Sequence, residues 1–567
     1  MSSKRTLLIN VLIVLVGALL FIPGLGSVRL FDWDEINFAE SAREMVVTGD
    51  WFNVRINFES FWEKPPLFIW MQALSMKAFG VGEFAARFPN AIIGILTLLL
   101  LFNIGRKVED ERFGMLWMGM YLISFLPFFY FKSGIIDPWF NFFIFLGIWF
   151  FSRYSDPEAF DRRMLNASLS AASIGLGILT KGPVAFLIFA LTFFVWLCVR
   201  KFNFTFRWKD VAAYVVVLCL VGGSWFIALA LTGHTEVIKD FIEYQIRLFE
   251  TKDAGHGGFL LYHFVILFIG VIPASIFALS TFHRSVLKDE RNQSLANLFR
   301  WMMVSFWVVL LLFTVVRTKI IHYSSFCYFP LTFLAAYVAA KMLDGKLNFR
   351  KVQSVLLIIC SVLYGVLLTA ITLFDRFKDK LIPYIDDPFA VSCMEATSNW
   401  VGFEPLVGLV LVVTTVWFCL VFRSRRDAGA FRVLAFGNIL FMMTVILCAV
   451  GEVEKYSQAS AVDFYVSRKG EDCYVMPAYF KSYAQYFYTD RQPQNSCDDF
   501  DWLCRGPIDK KCYFVVEDIP GDIEKFRADA PEAEFLYRRS GFLFFVREKP
   551  CDGNDASCSQ QEYEQVE

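Results

Sequence analysis

Apolar runs long enough to cross the hydrocarbon core of a bilayer recur through the first 450 residues. They fall at 6–26, 87–105, 114–131, 135–151, 165–180, 183–199, 211–231, 260–281, 301–316, 324–340, 352–374, 401–422 and 433–450. This pattern predicts about 13 membrane-spanning helices. The run 66–79 is apolar but too short to span and reads as interfacial or re-entrant. Between the first two spans, Ile36, Ala39, Arg43 and Val46 recur at helical spacing, and Phe38, Ala42 and Met45 widen their face. That spacing predicts an amphipathic helix lying in the interface. After residue 450 the pattern changes. Short apolar runs at 473–476, 512–516 and 542–546 read as strands, and 522–528 reads as a helix. The expected architecture is a polytopic α-helical membrane domain (1–450, with a first loop at 27–86) followed by a soluble C-terminal α/β domain (451–567).

Composition agrees with the membrane class. Hydrophobic residues make up 56% of the chain and aromatic residues 18%. The net charge of −1 offers nothing to a polyanion, so no nucleic-acid partner is expected. Charge is informative by position instead. Lys4 and Arg5, then alternate loops around Arg106–Arg112, Arg153–Arg163, Arg200–Lys209, Arg284–Arg300, Lys341–Lys351 and Arg423–Arg432, are rich in cations. The positive-inside rule makes these loops and the N-terminus cytoplasmic, and places everything after Val450 on the periplasmic side. Six of the 13 cysteines lie in the tail: Cys473, Cys497, Cys504, Cys512, Cys551 and Cys558. In an oxidising compartment they predict disulfides, and no C-x-x-C pair argues for a metal in their place.

The chemistry-bearing residues gather on the outer face. Asp34 and Glu35 follow the first span, and either could serve as a general base or metal ligand, or could cap the next helix. Glu63 and Lys64 precede a stiff Pro65-Pro66 pair. Asp137-Pro138 stands at the outer end of two spans as a carboxylate of the site or as a cap. Lys181, Arg317 and Lys319 are cations at outer helix ends, where an anionic partner would hold them. His256 lies in a glycine-rich loop. Acids that can take a proton and cations that can hold a departing phosphate suit transfer from a phosphate leaving group. A carrier or flippase of polyprenyl-linked sugars is the alternative. It would need charges in mid-span and broken helices in repeated halves.

Five motifs in sequence carry a resemblance. Asp34-Glu35-Ile36-Asn37-Phe38-Ala39-Glu40-Ser41-Ala42-Arg43-Glu44-Met45 with Thr48-Gly49-Asp50-Trp51 resembles the first periplasmic loop of GT-C glycosyltransferases. The similarity is to the ArnT-like subgroup, the aminoarabinose lipid A transferases and protein mannosyltransferase-like proteins. Trp62-Glu63-Lys64-Pro65-Pro66-Leu67, Asp137-Pro138, Thr180-Lys181-Gly182-Pro183 and Thr318-Lys319 with His322-Tyr323 match further family signatures. The resemblance implies a GT-C fold in a bacterial inner membrane. It also implies an inverting transfer from undecaprenyl-phosphate sugar to a lipid, glycan or protein acceptor. Carried over, Asp34 and Asp137 are the catalytic carboxylates. Lys64, Lys181, Arg317, Lys319 and Tyr323 bind the carrier phosphate. Glu63 and His256 match positions that hold a divalent metal, zinc, although two ligands are fewer than a closed site needs. Two positions depart from the pattern: Phe61 where a tyrosine is expected, and Trp33 between Asp32 and Asp34.

Overall fold

A computed structural model of the chain describes residues 3–156, 162–250, 258–282, 287 and 290–549. They form two compact units. The first comprises Met1–Val28, Ser41–Thr372 and Val401–Ala449, and the second Arg29–Glu40, Leu373–Trp400 and Val450–Glu567. The second unit thus takes in two segments that the sequence alone groups with the membrane domain.

The chain is a multi-pass helical membrane protein. Among the described residues, seven helices are long and apolar enough to cross a membrane, or nine if two bent pairs each count as one span. The 13 expected helices do not emerge by this measure, and the reasons are local. The run 114–131 breaks into Glu111–Leu122 and Phe125–Tyr130. Val184–Val199 is 16 residues long. Asp137–Tyr154 and Arg163–Lys181 form where expected, but polar residues dilute their apolar character. The bent pairs are Trp208–Gly222 with Ser224–Leu231, at 51°, and Tyr262–Gly270 with Ala274–Phe282, at 111°. Leu67–Phe79 is a short apolar helix of 13 residues, as the run 66–79 predicts.

Small residues let spans approach closely where apolar burial gives no preference between helix and lipid. A Cβ placed on Gly408 would meet the backbone of Gly365 at 2.9–3.3 Å, so the Lys351–Leu381 and Glu404–Arg425 helices touch through their main chains there. The Asp34–Thr48 helix corrects an expectation. It forms at the predicted place, but every side chain from Glu35 to Met45 is buried, so it has no solvated polar face. Two of its acids meet backbone amide donors. Glu35 Oε2 accepts from the Phe31 amide at 3.0 Å, and Glu44 Oε2 from the Phe58 amide at 2.9 Å. Phe58 belongs to a small hairpin of β1 (Arg55–Ile56) and β2 (Glu59–Ser60).

In the second unit β3 (Tyr474–Ala478), β4 (Cys512–Glu517), β5 (Glu534–Arg539) and β6 (Phe542–Arg547) form a sheet of order β3-β4-β6-β5. β3 runs parallel to β4, with Tyr474 opposite Cys512, and β6 is antiparallel to both β4 and β5. Residues 512–516 of β4 and all of β6 are buried on both faces, which is why they read as continuous apolar runs. One face packs Phe514 and Phe545 against Phe526 of the Pro520–Asp529 helix, and the other sets Phe464 against Phe544. β5 has no run of its own in the sequence. It is an exposed edge strand carrying Glu534, Arg538 and Arg539, charges that guard an open edge.

The expected disulfides are not formed among the described residues, where Cys473, Cys497, Cys504 and Cys512 are free thiols. Cys551 and Cys558 lie outside the described residues. Cys504 and Cys512 pack as small hydrophobes in the core of the sheet. Burial pushes the Cys473 thiol up to about 11 and the Cys504 thiol up to about 12, and holds Cys512 well above the ordinary value. A neutral thiol is a poor nucleophile. At pH 8 a maleimide should therefore leave these three cysteines unmodified in the native chain and modify them in urea, read by peptide mass spectrometry. Modification only after reduction would reveal disulfides and overturn the assignment.

Candidate active site

The first unit builds a buried ion pair from two helix ends. Asp137 is the first residue of the Asp137–Tyr154 helix, with Pro138 in its first turn. The preceding Ile136 occupies the cap position, so Asp137 is not the cap. Lys181 is the last residue of the Arg163–Lys181 helix. A carboxylate at a helix N-terminus and an ammonium at a C-terminus are each favoured by the peptide dipoles. Here they meet, with Lys181 Nζ donating to Asp137 Oδ1 at 2.7 Å. Asp137 is 1% exposed, and its other oxygen, Oδ2, is buried without a hydrogen-bond partner among the described residues. Lys181 lies 5.7 Å from the Phe140 ring centre and 5.9 Å from that of Tyr323. Tyr323 packs its other side on Phe313, with ring centres 5.2 Å apart. The structure thus brings Asp137, Lys181 and Tyr323 together.

A second cluster forms at the turn into Leu67–Phe79. Lys64 Nζ stands 3.7 Å from Glu63 Oε2 and 5.3 Å from the Tyr244 ring centre. Tyr244 donates its hydroxyl to Glu63 at 3.2 Å, and its ring meets Trp62 at 5.5 Å. Tyr244 lies on the Thr235–Glu250 helix, and the same helix covers the Lys181 turn. Gly182 ends its helix at φ +93°, and a Cβ there would lie 3.2 Å from the Phe241 ring. Trp62, Leu179, Val237 and Phe241 share one apolar cluster. One helix therefore roofs both cations.

The remaining predicted residues stand elsewhere. Lys319 was expected to hold a phosphate, yet its ammonium donates to the carbonyls of Phe313 (3.0 Å), Thr314 (2.7 Å) and Val316 (2.6 Å). All three of its protons are used to cap the Gln293–Val315 helix, whose last carbonyls lack partners otherwise. Burial pulls its pKa below the ordinary lysine value. Arg317 is exposed and makes no ion pair among the described residues. Asp34 opens the Asp34–Thr48 helix, half-buried, and falls in the second unit. His256 lies outside the described residues.

Glu63 is one of the two residues expected to hold a metal. That carboxylate is engaged by Lys64 and Tyr244, and no group of three or more His, Cys, Asp or Glu among the described residues could hold a metal ion. The second expected ligand, His256, lies outside the described residues. Other side chains escaped the sequence reading. Tyr244 and Phe241 repeat with Val237 along one buried side of their helix, a legible signal in a segment read only as an outer loop. The pair Tyr130 Oη to His322 Nδ1, at 2.8 Å, and the contact of His263 Nδ1 with Ser324 Oγ, at 3.0 Å, join stretches too distant for any spacing to announce.

Comparison with known proteins shows what the chain resembles. Residues 63–225 match the family model described as dolichyl-phosphate-mannose-protein mannosyltransferase, a segment that carries Glu63, Lys64, Asp137 and Lys181. An undecaprenyl phosphate-α-4-amino-4-deoxy-L-arabinose arabinosyl transferase of Wigglesworthia glossinidia brevipalpis is 26% identical over 356 residues, 62% of this chain and 61% of that protein. A second transferase of that name, from Pseudomonas fluorescens, is 27% identical over 57% of this chain and 58% of its own. The fold matches the crystal structure of ArnT from Cupriavidus metallidurans bound to undecaprenyl phosphate, with a TM-score of 0.75 at 18% identity over 94% of this chain and 97% of that one. The chain is similar to ArnT-like proteins and shares the fold of the ArnT structure. It spans about three fifths of the length of the two arabinosyl transferases it matches.

In the first unit the ion pair carries a stability consequence. Removing one partner of a buried pair leaves the other charge uncompensated, at a cost of about 3–5 kcal/mol. Asp137→Asn should lower stability by about 3 kcal/mol, and the double variant Asp137→Leu with Lys181→Met should recover most of it. Chemical denaturation in detergent reads both. An unchanged midpoint in the single variant would show that the pair is solvated.

Proposed function

We propose that this chain is an inverting glycosyltransferase that moves a sugar from a polyprenyl phosphate carrier to an acceptor on the periplasmic side of the inner membrane. The reading rests on one observation above others: a nearly buried carboxylate, Asp137, keeps one oxygen unpartnered beside an ammonium, Lys181, that is walled by aromatic rings. A buried acceptor atom without a donor is expensive unless a ligand supplies one. The names of the related arabinosyl transferases, and the carrier phosphate bound to the structurally similar ArnT, support the donor class.

The step is a single displacement. Asp34 takes the proton of the acceptor hydroxyl or phosphate as its oxygen forms a bond to the anomeric carbon. The bond from that carbon to the carrier phosphate breaks on the opposite face, so configuration inverts. The departing polyprenyl phosphate carries the electron pair away as an anion, held by Lys64, Lys181 and Arg317, with Tyr323 beside Lys181. Lys319 supports the end of its helix. No step is routed through a metal. The acceptor class is a lipid, a glycan or a protein.

The two bent helix pairs favour a second reading, a carrier that flips polyprenyl-linked sugars, because broken helices are a feature of transporters. Catalysis separates the two. Asp34→Asn should abolish transfer by the purified protein while expression and melting temperature stay at wild type, and normal turnover would refute Asp34 as the base. Lys64→Ala should raise the KM for the polyprenyl phosphate donor about tenfold, a loss of about 1.4 kcal/mol, in a radiolabelled-donor assay. An unchanged donor KM would remove Lys64 from the phosphate site.

A further inference from the structure

Three apolar helices of the first unit have ends around one cavity that the candidate active site does not use. Met342 stands near the end of the span Ile321–Leu343, Asn348 and Phe349 precede the Lys351–Leu381 helix, and Phe422 and Arg423 lie in the last turn of Glu404–Arg425. With Arg426 they line a cavity of about 250 Å³. Tyr323 lies at the start of the span that Met342 ends. The cavity is therefore about 30 Å along that helix from the Lys181 cluster, one hydrocarbon thickness away. The loops at 341–351 and 423–432 are rich in cations, so the positive-inside rule assigns this end to the cytosol.

The floor of the cavity is rigid. The buried rings of Phe349 and Phe422 stand 5.5 Å apart, and Phe418 and Phe431 brace them at 5.9 Å and 5.0 Å. Its rim is positive. Arg426 follows the Glu404–Arg425 helix at φ +52° and ψ +38°, a left-handed position that glycine fits best. Its side chain folds back over Gly345, where a Cβ would lie 2.7 Å from Arg426 Nη1. Arg426 Nη2 donates to Asn348 Oδ1 at 2.7 Å. A neutral amide thus fixes the guanidinium without neutralising it. Neither Arg423 nor Arg426 makes an ion pair among the described residues. The acids nearby are engaged elsewhere: Asp344 with Arg112 at 2.7 Å and Lys346 at 3.8 Å, and Asp427 with the Gly429 amide at 2.8 Å. A loop staple would account for Arg426 alone, but it needs neither the cavity nor Arg423.

Two guanidinium groups over a cavity of this size call for an anion with several oxygens, and the planar fork of arginine matches phosphate. The surroundings say what carries that phosphate. Val352, Val355 and Ile359 on one helix and Trp417 and Leu420 on the other are exposed, so the same two helices present hydrocarbon-compatible faces beside the rim. We propose that the cavity binds the phosphate of an anionic phospholipid from the cytoplasmic leaflet, with Arg423 and Arg426 pairing its oxygens and its acyl chains lying along these faces. The site is separate from the transfer reaction and does not rest on it.

The test uses the full chain, delipidated in detergent and titrated with dioleoylphosphatidylglycerol, dioleoylphosphatidylcholine or inorganic phosphate under native mass spectrometry. The phosphatidylglycerol should bind about tenfold more tightly than the phosphatidylcholine, and inorganic phosphate should not displace it. Arg423→Gln and Arg426→Gly should each weaken phosphatidylglycerol about tenfold. Arg426→Gly suits the left-handed backbone, so the melting temperature of the lipid-free chain should not fall. Arg425→Gln removes a neighbouring exposed charge that does not line the cavity, and it should bind as wild type does. Equal affinity for the two lipids, or equal losses in Arg425→Gln and the two cavity variants, would show a diffuse surface charge and overturn the site. Displacement by inorganic phosphate would overturn the lipid as its occupant.

Discussion

An ammonium group at the end of a membrane helix must find an anion, and the first unit is organised around how it does so. Lys181 meets Asp137 because two helices end at the same level with opposite dipoles, one presenting its C-terminus and the other its N-terminus. The pairing uses only one carboxylate oxygen. A second anion can therefore approach the lysine without losing its partner, and a donor can approach the acid. The Thr235–Glu250 helix completes the arrangement by laying Phe241 and Tyr244 over the two lysine turns. Beneath it the Lys181 and Lys64 side chains keep only 16% and 19% of their exposure, and charge–charge attraction strengthens as water leaves. The aromatic content that marks the sequence is thus part of the electrostatics, because rings let cations sit in low dielectric without neutralising them.

The sequence made some parts of this legible and hid others, and the difference is one of range. Helices and buried strands repeat locally, so 474–478, 512–517 and 542–547 stood out as apolar runs. The edge strand β5 was hidden because it lies in solvent and carries charges. Glu63-Lys64 and Asp137-Pro138 were legible as motifs, but the pairing of Asp137 with Lys181 joins helices 44 residues apart, and no spacing encodes it. Lys319 shows the reverse case. A lysine near the outer end of a helix looks available for a phosphate, yet the nearest anionic surface is its own helix terminus, and three carbonyls within six residues outcompete a ligand that must be bound from solution. The Asp34–Thr48 helix was misread for a related reason. Periodicity records which residues are apolar, and it cannot tell that Glu35 and Glu44 find amide donors and so can be buried too.

The loop before Asp34 belongs with the C-terminal fold, which composition does not suggest. Arg29–Glu40 belongs to the compact unit of the sheet domain; its main chain is held by Gln458 and Tyr488, and the Asp32 carboxylate accepts from the Tyr483 amide. A candidate base must stand within a fraction of an ångström of its working position, and a loop fixed by hydrogen bonds from a rigid α/β domain meets that demand better than a free interfacial segment. This gives the C-terminal domain a physical reason to be present in a chain whose cation clusters lie elsewhere. A domain that only bound partners would leave the strain at Trp33 unexplained, because nothing would compensate a bulky residue held at φ +74°. A domain that positions Asp34 explains it directly. The same hydrogen bonds that fix the acid's loop force the preceding residue into the left-handed region, so the backbone cost at Trp33 and the placement of Asp34 have a single cause.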